Sequence, residues 1–259
     1  MKLVDAHIHF SDAEYTEYTE ELVADARNAN VVALVSNSVD LQTSLGSLKL
    51  AEHYPGMVYP ALGIHPWNVN MLKENELEET VKLINEAHRK KSVVAIGEIG
   101  LDSKYEAAWD KQLVVFDRML HLAEELALPV IVHSRGATAQ VVDMLQSYKP
   151  KRVLLHWFSH PLNALSKAIE QGYFISDGPP AAYSKGIREV VKEVPLNSFL
   201  TETDGPVTYK PPPFNGKLTK PSFIRTVVEA VADVKQMTVN DVATQIAKNF
   251  EDFFGLNLK

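Results

Sequence analysis

The chain has 259 residues, a formal charge of −7 and no cysteine. Its length is close to the roughly 250 residues of one (β/α)8 barrel, and 46% hydrophobic with 23% charged residues is ordinary for a soluble globular protein. The missing cysteines exclude disulfides, thiolate zinc sites and cysteine nucleophiles, so any metal must be held by imidazole and carboxylate. The negative charge disfavours a protein that coats polyanions through its overall field.

Polar residues interrupt residues 1–7 at once, unlike a signal peptide, and nothing approaches the roughly 18 apolar residues of a membrane span. The expected location is cytoplasmic, without membrane association, and nothing marks an obligate protein partner. Short apolar runs rich in Val, Ile or Leu then recur along the chain. The first covers residues 3–9 and carries His7-Ile8-His9; the second covers 31–37. The third, 58–65, ends at His65, and a helical face follows on Leu77, Val81 and Ile84. The fourth, 93–101, runs through Gly97-Glu98-Ile99-Gly100-Leu101 to Asp102. Behind it, Trp109, Leu113, Phe116, Leu120, Ala123 and Ala127 step by three and four along one helical face.

The fifth run, 130–133, ends at His133, and Ser134-Arg135-Gly136 leads into a helix near Ala137. The sixth, 152–158, contains His156; the seventh covers 173–176; the eighth, 199–204, ends on Glu202 and Asp204. A Pro- and Gly-rich loop, Pro211 to Lys217, precedes two helices at 222–234 and 240–254, the second opened by a capping-box pattern, Thr238 to Asp241.

Continuous apolar runs are the mark of parallel strands covered on both faces. Their starts are spaced by about 21 to 37 residues, room for a crossover helix each time. The expectation is an α/β protein, a single (β/α)8 TIM barrel forming one domain over residues 1–259.

The chemistry lies at the strand ends. His7 and His9, two apart in a strand, project to the same side. His65, Glu98, His133, His156, Glu202 and Asp204 recur at the C-terminal ends of later strands, where TIM-barrel active sites sit. Such groups are rarely buried without partners, so their recurrence favours ligands over coincidence. Other residues are less defined. His160, in the loop after the sixth strand, is a candidate substrate contact. Arg135 suits either phosphate binding or a structural ion pair. Asp102 either orients a ligand or caps its loop, and Trp67 and Trp157 either stack on a base or wall the pocket. His53, His88 and His121 read as helix-surface residues.

Taken in order, Asp5-Ala-His7-Ile-His9, Gly63-Ile-His65-Pro66, Gly97-Glu98-Ile-Gly-Leu-Asp102, His133-Ser-Arg135-Gly-Ala137, His156-Trp-Phe-Ser159 and Glu202-Thr-Asp204-Gly-Pro206 closely resemble the TatD family of metal-dependent deoxyribonucleases. The resemblance runs over nearly the whole chain, to Asn249-Phe250. It implies a single amidohydrolase-like, metal-dependent hydrolase domain with two divalent ions (Mg, Mn or Zn), one held by His7, His9 and Asp204, the other by His133 and His156, with Glu98 bridging. It also implies substrate or supporting roles for His65 and Glu202. The implied activity is hydrolysis of DNA phosphodiesters, often from a 3′ end, by a two-metal mechanism with a bridging water, and Asp204 is the candidate base.

The chain departs from the family at His160 and at Gly216 to Pro221, on loops that shape a substrate groove. The competing readings are hydrolysis of a small amide, lactone or ring substrate on the same site, and a non-catalytic barrel that binds nucleic acid or a partner.

Overall fold

In a computed structural model, which describes residues 1–159 and 162–258, eight strands form one parallel sheet in sequential order. They are β1 (Leu3–Ile8), β2 (Val31–Asn37), β3 (Val58–Leu62), β4 (Ala95–Gly100), β5 (Val130–His133), β6 (Val153–Leu155), β7 (Phe174–Asp177) and β8 (Phe199–Thr201). Between and after them run α1 (Thr19–Asn28), α2 (Leu41–His53), α3 (Glu76–Arg89), α4 (Trp109–Leu126), α5 (Thr138–Leu145), α6 (Leu162–Glu170), α7 (Lys185–Glu193), α8 (Ile224–Lys235) and α9 (Val239–Phe254). Strand and helix alternate because each apolar strand buries both faces, one inward and one beneath a helix.

Beyond the ladder, β8 returns to β1. The Asp204 amide donates to the His7 carbonyl at 2.9 Å, and the His9 amide donates to the Gly205 carbonyl at 2.8 Å. Buried Asp5 adds a side-chain seam, accepting from the Thr203 amide at 3.0 Å and its hydroxyl at 2.6 Å. The barrel is thereby nearly closed. Helix starts follow local chemistry: Asp40 and Thr43 form a reciprocal capping box on α2, and the Thr238 side chain accepts from the Asp241 amide on α9.

The strands are shorter than the apolar runs suggest. β3 stops at Leu62, β6 at Leu155 and β8 at Thr201, so His65, His156, Glu202 and Asp204 lie just past the ladder. There the chain turns His65, His156 and Asp204 toward the barrel mouth, and leaves Glu202 buried behind them. Trp157 and Asp204 have left-handed backbones, φ 39° and 49°, a conformation that concentrates at functional sites.

Gly100 shows why β4 needs its glycines. Its φ is +142°, and a Cβ there would lie 2.0 Å from the His133 carbonyl oxygen. Only glycine lets β4 pair with β5 at this register, Gly100 opposite His133. Gly97 is tight for another reason, since its Cβ would meet that of Ile131 at 2.8 Å. No helix among the described residues is long and apolar enough to cross a membrane.

Candidate metal centre

Glu98, buried at the C-terminal end of β4, is the hub of the barrel mouth. Its two oxygens face different partners. Oε2 lies 3.2 Å from Nε2 of both His7 and His9. Oε1 lies 2.7 Å from His156 Nε2, 3.0 Å from His133 Nδ1 and 3.1 Å from His65 Nε2. Asp204 closes the first group, its Oδ1 3.2 Å from His7 Nε2 and 3.5 Å from His9 Nε2. Three sets of donors converge within 4.8 Å: His7, His9 and Asp204; His7, Glu98 and His156; His65, Glu98 and His133. Among them Glu98 Oε2 is buried and has no hydrogen-bond partner among the described residues. A buried carboxylate oxygen left so is costly, and imidazole-carboxylate donors around it suit a divalent cation.

The far ring nitrogens decide which imidazoles offer a lone pair. The His9 Nδ1–H donates to the Asn37 carbonyl at 3.2 Å, and a carbonyl only accepts, so Nε2 is the nitrogen left to offer a lone pair inward once its proton is lost. The His133 Nε2–H donates to Asp102 at 2.9 Å, which leaves Nδ1 to face Glu98. His156 turns Nδ1 toward Glu202 Oε1 at 3.6 Å, an ion-pair distance, with Nε2 inward. His65 is the reverse. Its Nδ1 accepts from the Trp67 amide at 3.1 Å, so the ring hydrogen sits on Nε2 and is offered to Glu98. His65 is therefore a donor at the edge of the centre, although it falls in one of the three sets.

Charge separates the imidazoles in the same way. Burial opposes protonation of His9, but Asp204 and Glu98 beside it drive its pKa up to about 10. His156 is also raised against burial, by Glu98 and Glu202, and His133 by Asp102 and Glu98. His65 goes down to about 4, because burial there outweighs Glu98. For Glu98 itself burial acts upward, but His65, His156 and His7 hold it well below the usual carboxylate range. Asp204 is held low against burial by His7 and His9. Without a cation, the ionised carboxylates of Glu98 and Asp204 thus face a His9 that favours its protonated form.

The centre opens into a cleft of about 940 Å³ whose walls include Trp67, Arg135, Trp157 and Ser159. Trp67 is one-third exposed and stacks on Tyr105 with ring centroids 4.9 Å apart. Arg135 is half exposed and is ion-paired to Asp102 at 3.0 Å, so the structural ion pair and a place on the cleft wall coexist. Glu202 is fully buried behind His156; it accepts from the Trp157 amide at 2.9 Å and from the Ser176 hydroxyl. It braces the imidazole from behind and does not reach the cleft surface. His160, the remaining candidate, lies outside the described residues. His53 and His121 are exposed, and His88 sits in the last turn of α3.

Asp5 and Asp177 escaped the sequence reading. Asp5 had a usable signal, since it precedes His7 and His9 by two and four residues and so shares their face of β1. Asp177, fully buried at the end of β7 with both carboxylate oxygens unpartnered among the described residues, had none beyond its place just after an apolar run.

Imidazoles and carboxylates converging on the C-terminal mouth of a parallel barrel define the class: a metal-dependent hydrolase that uses divalent metal. A sequence profile described as TatD related DNase matches residues 4–255, and the chain belongs to that family. The metal-dependent hydrolase YabD of Bacillus subtilis (strain 168), itself uncharacterized, is 33% identical over 260 residues, covering 98% of this chain and 100% of that one. Deoxyribonuclease TATDN3 of Homo sapiens is 32% identical over 257 residues, covering 95% and 92%. Among solved structures, the TatD homologue YJJV of Escherichia coli k12 superposes with a TM-score of 0.91 at 28% identity, covering 98% of both chains. A TatD family hydrolase of Entamoeba histolytica shares the fold, with a TM-score of 0.84 at 17% identity and 98% coverage of both chains.

Proposed function

We propose that the whole chain is one hydrolase domain that cleaves DNA phosphodiester bonds, removing nucleotides from a 3′ end in the cytoplasm. The divided carboxylate of Glu98 carries this reading, with Oε2 facing His7 and His9 and Oε1 facing His133 and His156. In this arrangement His7, His9 and Asp204 would hold one divalent ion and His133 and His156 a second, with the Glu98 carboxylate between the two sets. Mg, Mn and Zn all suit such donors. Bound there, the ions would acidify a water and offset charge on the phosphoryl oxygens.

The chain's own groups divide the remaining work. Asp204 is ionised at neutral pH and lines the cleft, so it is placed to accept the proton of the attacking water. Neutral His65 keeps its Nε2–H on Glu98, 3.1 Å from Oε1, and lines the cleft beside the substrate. Arg135 meets the anion at the cleft wall, and the indoles of Trp67 and Trp157 bound the space beside it. Glu202 keeps His156 oriented.

DNA is favoured over amide or lactone substrates by the relative named a deoxyribonuclease, and by a glutamate at the position between the donor sets. The test is a metal-reconstituted assay on single-stranded DNA labelled at either end, beside a panel of amides and lactones. Nucleotide release from the 3′ end, abolished by chelator and by Glu98→Ala, supports the reading. Turnover of an amide or lactone with DNA untouched overturns it.

A further inference from the structure

We propose that Asp102 is a positioning residue that fixes a cation-binding imidazole and the substrate-facing wall of the cleft with one carboxylate, a role that rests on the two-ion reading above. Asp102 is fully buried just past β4. Oδ2 accepts from His133 Nε2 at 2.9 Å and from the Trp67 indole N–H at 2.6 Å, while Arg135 Nε donates to Oδ1 at 3.3 Å and lies 3.0 Å from Oδ2 as an ion pair. Oδ1 accepts from the Lys104 amide at 2.7 Å. Three loops, those after β3, β4 and β5, meet on this one side chain.

The backbone beneath it is equally fixed. The buried Gln112 side chain accepts from the Asp102 amide at 2.8 Å and donates to its carbonyl at 3.1 Å. Asp102 is thus anchored to α4 and cannot drift with the loops it joins.

Each contact has a separate consequence. An ionised carboxylate only accepts, so Asp102 keeps a hydrogen on His133 Nε2 and leaves Nδ1 for the metal side, 3.0 Å from Glu98 Oε1. Carboxylates behind ligating histidines do this generally. Arg135, held through Nε, keeps its terminal nitrogens for an external anion, and its guanidinium lies 5.3 Å from the Trp67 ring centroid. Trp67, held through its indole N–H, is edge-on to His133 and stacked on Tyr105. One anion thereby sets the distance from His133 to the groups that meet the phosphate and its neighbouring base. Asparagine cannot replace it, because its NH2 group opposes an N–H donor in either orientation.

The experiment titrates chelator-stripped wild type, Asp102→Asn and Arg135→Ala with Mn²⁺ by calorimetry, and follows hydrolysis of bis(p-nitrophenyl) phosphate. Asp102→Asn is expected to weaken one of two ions by about 10–100-fold, the usual cost of losing such a partner, and to leave the other within about twofold. Its KM rises, and excess Mn²⁺ restores kcat but not KM. Arg135→Ala raises KM and leaves both ion affinities unchanged. Nitrogen-15 spectra of the wild type must show a hydrogen-bonded, exchange-protected Nε2–H on His133, which is lost in the variant.

Unchanged affinity for both ions in Asp102→Asn overturns the proposal. So does a wild-type His133 without that proton, a result that holds even if the variant fails to fold. A wild type that binds no Mn²⁺ defeats the two-ion reading instead, and the His133 spectrum then decides the role of Asp102 by itself.

Discussion

His7 and His156 stack face to face, with centroids 3.9 Å apart and planes within 2°, yet their Nε2 atoms address opposite oxygens of Glu98, at 3.2 and 2.7 Å. One comes from β1 and the other from just past β6, on opposite sides of the barrel. Only closure of the sheet brings them together, so the integrity of the barrel and the geometry of the centre are one problem.

Cation binding should release protons. His9, raised from 6.5 to about 10 by Asp204 and Glu98 against burial, must lose its Nε2 proton to become a ligand, so affinity rises with pH. The same shift bears on folding. A group whose pKa is raised in the folded state adds stability that is fully present below its unfolded value and lost as pH rises through the folded value. Chelated protein is therefore expected to lose melting temperature between about pH 6.5 and about 10, and Zn²⁺ or Mn²⁺ to remove much of that slope. Calorimetric titrations in buffers of contrasting ionisation enthalpy count the protons, and melting curves with and without chelator follow the slope.

Asp177 should be a stability liability. Burial raises its pKa well above 3.8, Glu202 adds to the rise, and His156 opposes it. Its penalty is absent below the unfolded pKa and grows as pH rises toward the folded one. Asp177→Asn removes the charge problem. We expect a gain on the order of 1–3 kcal/mol at neutral pH, shrinking toward pH 4, read as a rise of about 2–4 °C in Tm per kcal/mol. Equal Tm for both proteins at pH 7 contradicts this.

Gly100→Ala tests the approach of β4 to β5. The new Cβ would lie 2.0 Å from the His133 carbonyl, at a φ of +142°. Overpacking and backbone strain together should cost about 3 kcal/mol or more. Displacement of His133 should weaken cation binding as well, so denaturant melts and calorimetry move together.

Tyr15 secures the turn that carries Asp204. Its buried hydroxyl donates to the Thr219 carbonyl at 2.6 Å, across the loop that follows β8. Tyr15→Phe strands that carbonyl at a cost of about 1–3 kcal/mol. A lower Tm, with a smaller drop in kcat than in stability, is the expected pattern in melting and turnover measurements.

The barrel was legible because apolar runs spaced for crossover helices leave few alternatives, and the six metal-ligand candidates because each lies within or at the end of such a run. What escaped depends on contacts between loops. The division of Glu98 between two donor sets, the donor role of His65 and the burial of Glu202 behind His156 arise where separate strand ends meet. Asp102 shows the limit well. Its own segment offers capping or orienting as equals, and only the arrival of Trp67, His133 and Arg135 from other loops selects between them. Strand ends were overextended for a related reason: residues such as His65 and Asp204 continue an apolar run in sequence but leave the ladder to aim inward.

The central claim is that Glu98 stands between two cations. Anomalous diffraction from a crystal soaked in Mn²⁺ tests it most directly. Two peaks on either side of the Glu98 carboxylate, one bounded by His7, His9 and Asp204 and the other by His133 and His156, are the expected result. A single peak that Glu98 does not touch, or none at a concentration that supports turnover, would contradict it.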